Sequence, residues 1–118
     1  MEVPIIELRK YQLKLGYDTV PTFLKIYSSA LPSKLNAEGT HPDTELVTIL
    51  VSDTGSLNKV YEVWKHGSET HCGLQAMEQS RQASRTAIQW RGGISQIAEL
   101  AQTFDTSIIK PTEFSPLR

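Results

Sequence analysis

A chain of 118 residues with 12 basic and 13 acidic side chains, a formal net charge of -1, and 39% hydrophobic and 21% charged residues has the make-up of one globular domain, spanning residues 1–118. The near-neutral balance argues against a dedicated nucleic-acid binder, which shows a concentrated basic face. The single cysteine, Cys72, excludes an internal disulfide and fits a reducing compartment.

Residues 3–14 alternate as a strand, with Ile5, Glu7, Arg9, Tyr11 and Leu13 on one face and Ile6, Leu8, Lys10 and Gln12 on the other. Gly16 ends it. Asp18 is placed to cap a helix whose apolar stripe is Val20, Phe23, Leu24, Tyr27 and Leu31, with Pro21 harmless in the first turn and Pro32 expected to kink or end it. Residues 36–43 form a loop broken by Gly39 and Pro42. Two β-rich arms, 46–52 and 57–65, then flank the turn-prone stretch 53–56 and predict a hairpin.

Gly67 and Ser68 open a second helical region, with Ser68 as its cap and Cys72, Ala76, Met77, Ala83, Ala87 and Ile88 as its apolar stripe. Arg91-Gly92-Gly93 breaks it. Ile94, Ile97, Ala98 and Ala101 support a further short helix, and residues 103–110 a last strand stopped by Pro111. The longest apolar run, residues 46–51, contains Thr48 and is far short of the roughly 20 residues that span a bilayer. The opening MEVPIIELRK has neither the apolar core of a signal peptide nor an Arg/Ser-rich transit segment, so a cytoplasmic protein is expected, or a mitochondrial one after removal of a presequence.

The order β-α-β-β-α-(α)-β packs most simply as an α+β, ferredoxin-like antiparallel sheet with the helices on one face and the first strand beside the third. The alternation of the second strand sends Leu46 and Leu50 to one side and Val47, Ile49 and Val51 to the other, so both faces call for burial. Helices cover only one. The expected cover for the other is a second copy of the chain in a twofold homodimer.

These residues carry a family resemblance. Glu7-Leu8-Arg9, Tyr11, Leu13-Lys14 and Gly16 are similar to the ELR-x-Y-x-L-K-P-G opening of the NIPSNAP family, with Leu15 where the family has proline. Glu45-Leu46-Val47, Gly55, Leu57-Asn58 and Trp64 resemble its ELVGYW…G-x-LN-x-V-x-x-LW core, with Thr48-Ile49 in place of the aromatic pair. Arg81 and Arg85 sit where the family carries a basic pair, and Phe114-Ser115-Pro116-Leu117 matches its FSPL ending. The resemblance implies a dimeric α/β-barrel that acts through protein contacts, with eukaryotic relatives tied to mitochondria and vesicle traffic. Enzymes on the same fold imply an alternative: a small cofactor-free or haem-type monooxygenase or isomerase, with an apolar substrate between sheet and helices.

Glu7, Arg9 and Tyr11 share one strand face and can meet the third strand, so they either orient a small polar ligand, with Arg9 as a bidentate anchor, or form a structural ion-pair network. For catalysis the candidates are Glu7 as base, Arg9 as anion anchor, and Tyr11 or Asn58 as hydrogen-bond donor; for Asn58 tying down the turn is the favoured role. Trp64 can stack on a planar ligand or anchor packing. Arg81 and Arg85, one helical turn apart, can bind an acidic partner or remain a solvated face. His66, His71 and Cys72 match no zinc spacing, so neither metal nor cofactor is expected.

Overall fold

The computed structural model describes residues 4–55 and 57–117. The residues at 1–3, Ser56 of the predicted turn and Arg118 at the end of the tail lie outside the described residues. The elements run β1 (Ile5–Leu13), α1 (Thr19–Leu35), β2 (Thr44–Val51), β3 (Lys59–His66), α2 (Gly73–Ser84), α3 (Ile88–Leu100) and β4 (Ala101–Ile109). The sheet order is β2-β3-β1-β4, antiparallel throughout. This is the α+β ferredoxin-like arrangement expected from the sequence. None of the described helices is long and apolar enough to cross a membrane.

Register divides the sheet into two faces. Across β3, β1 and β4, one face carries the rows Trp64–Glu7–Ile108, Glu62–Arg9–Thr106 and Val60–Tyr11–Phe104. The helices pack on this face: Phe23 of α1 meets the Tyr11 ring edge-on at 5.1 Å, and Tyr27 of α1 stands edge-on to Trp90 of α3 at 5.5 Å. Tyr11, Leu13, Phe23, Tyr27, Ala30, Val60, Trp90 and Ile97 form the core. The opposite face carries the rows Thr48–Val63–Leu8–Ser107 and Leu50–Tyr61–Lys10–Asp105, and among the described residues no helix covers it.

The split of β1 into two faces is as predicted, but β2 departs from simple alternation. A bulge between Leu46 and Thr48 shifts the register, so Leu46 pairs with Trp64 and Ile49 with Glu62. The extra residue puts Leu46, Ile49 and Val51 together on the helix side and leaves Leu50 on the open side. Strict period-two reading separates Leu46 from Ile49, and a bulge is what reunites them.

Pro32 does not stop α1 at its own position. The helix continues to Leu35, because proline removes only its own N–H bond and the Asn36 N–H still reaches the Pro32 carbonyl at 2.9 Å. Asp18 occupies the cap position without a side-chain cap bond. Helix α2 begins at Gly73, because Ser68 instead folds a tight turn, its Oγ accepting the N–H groups of Thr70 and His71 at 3.2 Å each. The break between α2 and α3 falls at residues 85–87 and not at Arg91-Gly92-Gly93, which lie inside α3. Gly93 is there for contact: a Cβ on it would stand 2.6 Å from the Ala30 Cβ of α1. Ala101, expected in a helix, opens β4 directly after Leu100.

Candidate functional site

The centre of the helix-side face is ionic. Glu62 is fully buried, and its carboxylate accepts three hydrogen bonds: Tyr11 Oη to Oε1 at 2.8 Å, Tyr27 Oη to Oε2 at 2.5 Å and Trp64 Nε1 to Oε2 at 2.6 Å. The guanidinium of Arg9 lies 3.6 Å from Glu62 Oε1, 4.0 Å from Glu7 Oε2 and over the Phe104 ring at 5.1 Å. Burial pulls Arg9 towards losing its proton, but the charge of Glu62 prevails and raises its pKa. Burial first, and then the Glu62 charge, push the Tyr11 and Tyr27 hydroxyls up, so both act as donors.

Glu7 is the second buried carboxylate. Its Oε1 meets His66 Nε2 at 3.0 Å, and its Oε2 accepts from Arg81 Nη2 at 3.1 Å. A chain of hydroxyls satisfies the other side of His66. Ser80 Oγ donates to Thr44 Oγ1 at 2.7 Å, and Thr44 Oγ1 lies 3.0 Å from His66 Nδ1. Donation by Thr44 leaves the His66 Nε2–H to donate to Glu7. Burial alone would raise the Glu7 pKa; the His66 bond, the Arg9 charge and Arg81 outweigh it and lower it to about 2. A carboxylate held that low is a weak base.

Beside this network lies a cavity of about 260 Å³ lined by Glu7, Arg9, Lys34, Trp64, Arg81 and Trp90, among others. Lys34, from the last turn of α1, places Nζ 4.9 Å from the Trp64 ring and 5.0 Å from the Trp90 ring, and donates to Ser84 Oγ at 2.9 Å. Among the described residues it makes no ion pair within 4.0 Å. Burial, followed by the repulsion of Arg9, lowers its pKa to about 8. Proton exchange near neutral pH therefore belongs to Lys34 more than to Glu7.

Arg9 and Phe104 also line a second hollow of about 280 Å³, whose other walls include Ile94, Ile97, Ala98 and Ala101. A charged chamber and an apolar one thus adjoin at the same two side chains. A larger open groove, about 740 Å³, runs between α1 and α3 with Lys25 as its one charged lining residue, away from this chemistry.

Of the residues singled out by sequence, Glu7, Arg9, Trp64 and Arg81 line the polar cavity. Tyr11 sits beneath it, committed to Glu62, and its ring lines the apolar hollow. Asn58 lies elsewhere, in the left-handed conformation (φ 58°) at the end of the hairpin turn, with Nδ2 donating to the Lys14 carbonyl at 2.9 Å. Arg85 follows the end of α2 and lines a separate hollow with Arg81, Arg91 and Trp90. Sequence reasoning passed over Lys34, Trp90 and Ser84. The i, i+4 spacing of Ser80 and Ser84 was the available signal for a polar helix face turned towards the sheet.

A NIPSNAP family model matches residues 6–116. Similar solved structures include a NIPSNAP family protein from Agrobacterium tumefaciens, 25% identical, covering 98% of this chain and 99% of that one, with a TM-score of 0.77. Another NIPSNAP family protein with unknown function from the same organism is 24% identical over 99% of this chain and 96% of that one, with a TM-score of 0.76. A dimeric ferredoxin-like protein from an uncultured marine organism shares the fold at 12% identity, 95% and 90% coverage and a TM-score of 0.56. No curated protein matches the chain.

Proposed function

We propose that this chain, which belongs to the NIPSNAP family, binds a small amphipathic anion: a carboxylate or similar head on an apolar body. The observation that carries this reading is Lys34, a half-buried ammonium between two indoles with no carboxylate partner among the described residues, at the wall of a cavity it shares with Arg9 and Arg81. The adjoining hollow lined by Ile94, Ile97 and Ala98 supports an apolar body on the same ligand. Arg9, with its guanidinium carbon 5.1 Å from the centre of the Phe104 ring, stands between head and body.

Trp64 and Trp90 make the site its own reporter. Titration of the protein with straight-chain and aromatic carboxylates, followed by tryptophan fluorescence, is expected to saturate for at least one of them. Lys34→Met should weaken that binding roughly 10- to 100-fold, the worth of one charge-assisted hydrogen bond. Absence of saturation across the panel, or equal affinity in the variant, would overturn the reading.

Action through protein contacts is supported on one surface, the open sheet face. Leu50 is 53% exposed there, in the same row as Tyr61, and beside the row of Val63 and Leu8. A homodimer closing face to face through these rows removes them from water. A dimeric mass in light scattering at micromolar concentration, reduced to a monomer by Leu8→Arg, is the expected result; a monomeric wild-type chain would refute it.

A further inference from the structure

At the far end of the β2–β3 pair, outside the cavity, two loops bring together side chains that sequence spacing kept apart. His41 and Asp43 precede β2, and His71 lies between β3 and α2. One potential ligand atom from each lies within 4.8 Å of the other two. We propose that His41, Asp43 and His71 form a binding site for a borderline divalent transition-metal cation of the Zn²⁺ class, which clips the two loops together.

The donor set is two imidazoles and one carboxylate, the combination such cations favour. The Asp43 N–H donates to His41 Nδ1 at 3.0 Å, which fixes that ring and puts the lone pair on Nδ1 and the proton on Nε2, so a cation would take the Nδ1 lone pair in place of that bond. Asp43 Oδ2 meets His71 Nδ1 at 2.5 Å, and the two imidazole rings stand edge-on with centroids 5.1 Å apart. Tetrahedral bonds of about 2.0–2.1 Å put ligand atoms about 3.3 Å apart. Rotation of the His71 side chain, which is 54% exposed, covers the difference. Three protein ligands leave a further position for water or an anionic group.

The backbone holds the two loops in place. The Gly67 N–H reaches the Asp43 carbonyl at 3.1 Å, and the Thr44 N–H the His41 carbonyl at 3.0 Å. The turn that presents His71 depends on Gly67, at φ +87°, where a Cβ would lie 2.6–2.8 Å from Gly73 and the His71 carbonyl. Thr44, next along the chain, is the residue that holds His66 on the cavity side. A cation here would brace one wall of the ligand cavity from outside.

The test is titration of the tag-free full chain with Zn²⁺ alone by calorimetry, with Co²⁺ as a spectroscopic substitute. The expected result is one cation per chain, visible absorption bands of low-coordinate Co²⁺, and a Zn²⁺-dependent rise in thermal midpoint. His41→Ala and His71→Ala should each weaken binding by roughly 100-fold or more, beyond what loss of an outer-shell partner costs. Cys72→Ser should leave it unchanged. No saturable binding, binding that survives in His71→Ala, or loss in Cys72→Ser would each overturn the assignment.

Discussion

Replacing Glu62 by glutamine keeps size and shape and removes only the buried charge. The amide oxygen can face Tyr27 and Trp64 and keep both bonds, now as neutral ones. The amide nitrogen then replaces Oε1, facing Arg9 at 3.6 Å and the Tyr11 hydroxyl, which must turn from donor to acceptor. Charge-assisted bonds are worth about 1.5–3 kcal/mol against about 0.5–1.5 for neutral ones, so two of them lose roughly 2 kcal/mol. Removing one partner of a buried ion pair costs about 3–5 kcal/mol in general. Glu7 at 4.0 Å and the Phe104 face still compensate Arg9 in part, which places the total near the low end, about 3 kcal/mol. For a domain of this size that is a fall of roughly 10 °C in thermal midpoint. Equilibrium urea unfolding, followed by tryptophan fluorescence, would measure it, with Tyr27→Phe as the control that deletes one bond and leaves the charge. A loss below about 1 kcal/mol, or one no larger than that of Tyr27→Phe, would show that the charge of Glu62 is not what holds this core together.

The Glu7 network predicts acid lability. Its folded pKa of about 2 lies below the ordinary 4.5 of a free glutamate, so its contribution is fully present above pH 4.5 and lost as pH falls towards 2. A shift of that size corresponds to about 3 kcal/mol, and Glu7→Gln should flatten the stability–pH curve in this window. At the alkaline end, Lys34 loses its proton from about pH 8 upward, so carboxylate affinity should decline there in the wild type and stay flat in Lys34→Met. Gly92 and Gly93 should respond oppositely to alanine. A Cβ on Gly92 meets nothing within 4 Å, so Gly92→Ala gains about 0.5–1 kcal/mol of helix propensity, whereas Gly93→Ala, 2.6 Å from the Ala30 Cβ, loses about 1–2 kcal/mol by thermal denaturation.

What could be read from the sequence was whatever a local period encodes. The two faces of β1, the hairpin and the element order follow from alternation and turn chemistry, and register bears them out. The bulge in β2 has no such signature, because Leu46-Val47-Thr48-Ile49 is equally β-prone in either register. Gly92-Gly93 reads locally as a helix break, yet its role is the approach of α1 to α3, a fact of tertiary packing. Lys34 looks like an ordinary cation near a helix C-terminus. Only the fold brings Trp64 and Trp90, from β3 and α3, to its Nζ. The donors to Glu62 come from three separate elements, β1, α1 and β3, which no local pattern brings together.

The charges around the cavity decide what kind of ligand fits. Glu62 is committed to Tyr11, Tyr27, Trp64 and Arg9, and Glu7 to His66, Arg81 and Arg9. Two carboxylates thus face three cations, with His66 hydrogen-bonded on both ring nitrogens. Lys34 is left with a hydroxyl and two indole faces, and its depressed pKa shows that burial is not fully offset there. A neutral ligand would leave that imbalance in place, whereas an anion would correct it and restore the ammonium. The consequence can be measured with a matched pair, a carboxylate and its primary amide on the same apolar body. The acid should bind at least about tenfold more tightly at pH 7, with the difference collapsing in Lys34→Met. Equal affinity of acid and amide for the wild-type chain would mean that the site reads shape alone, and that Lys34 is there for the two tryptophans.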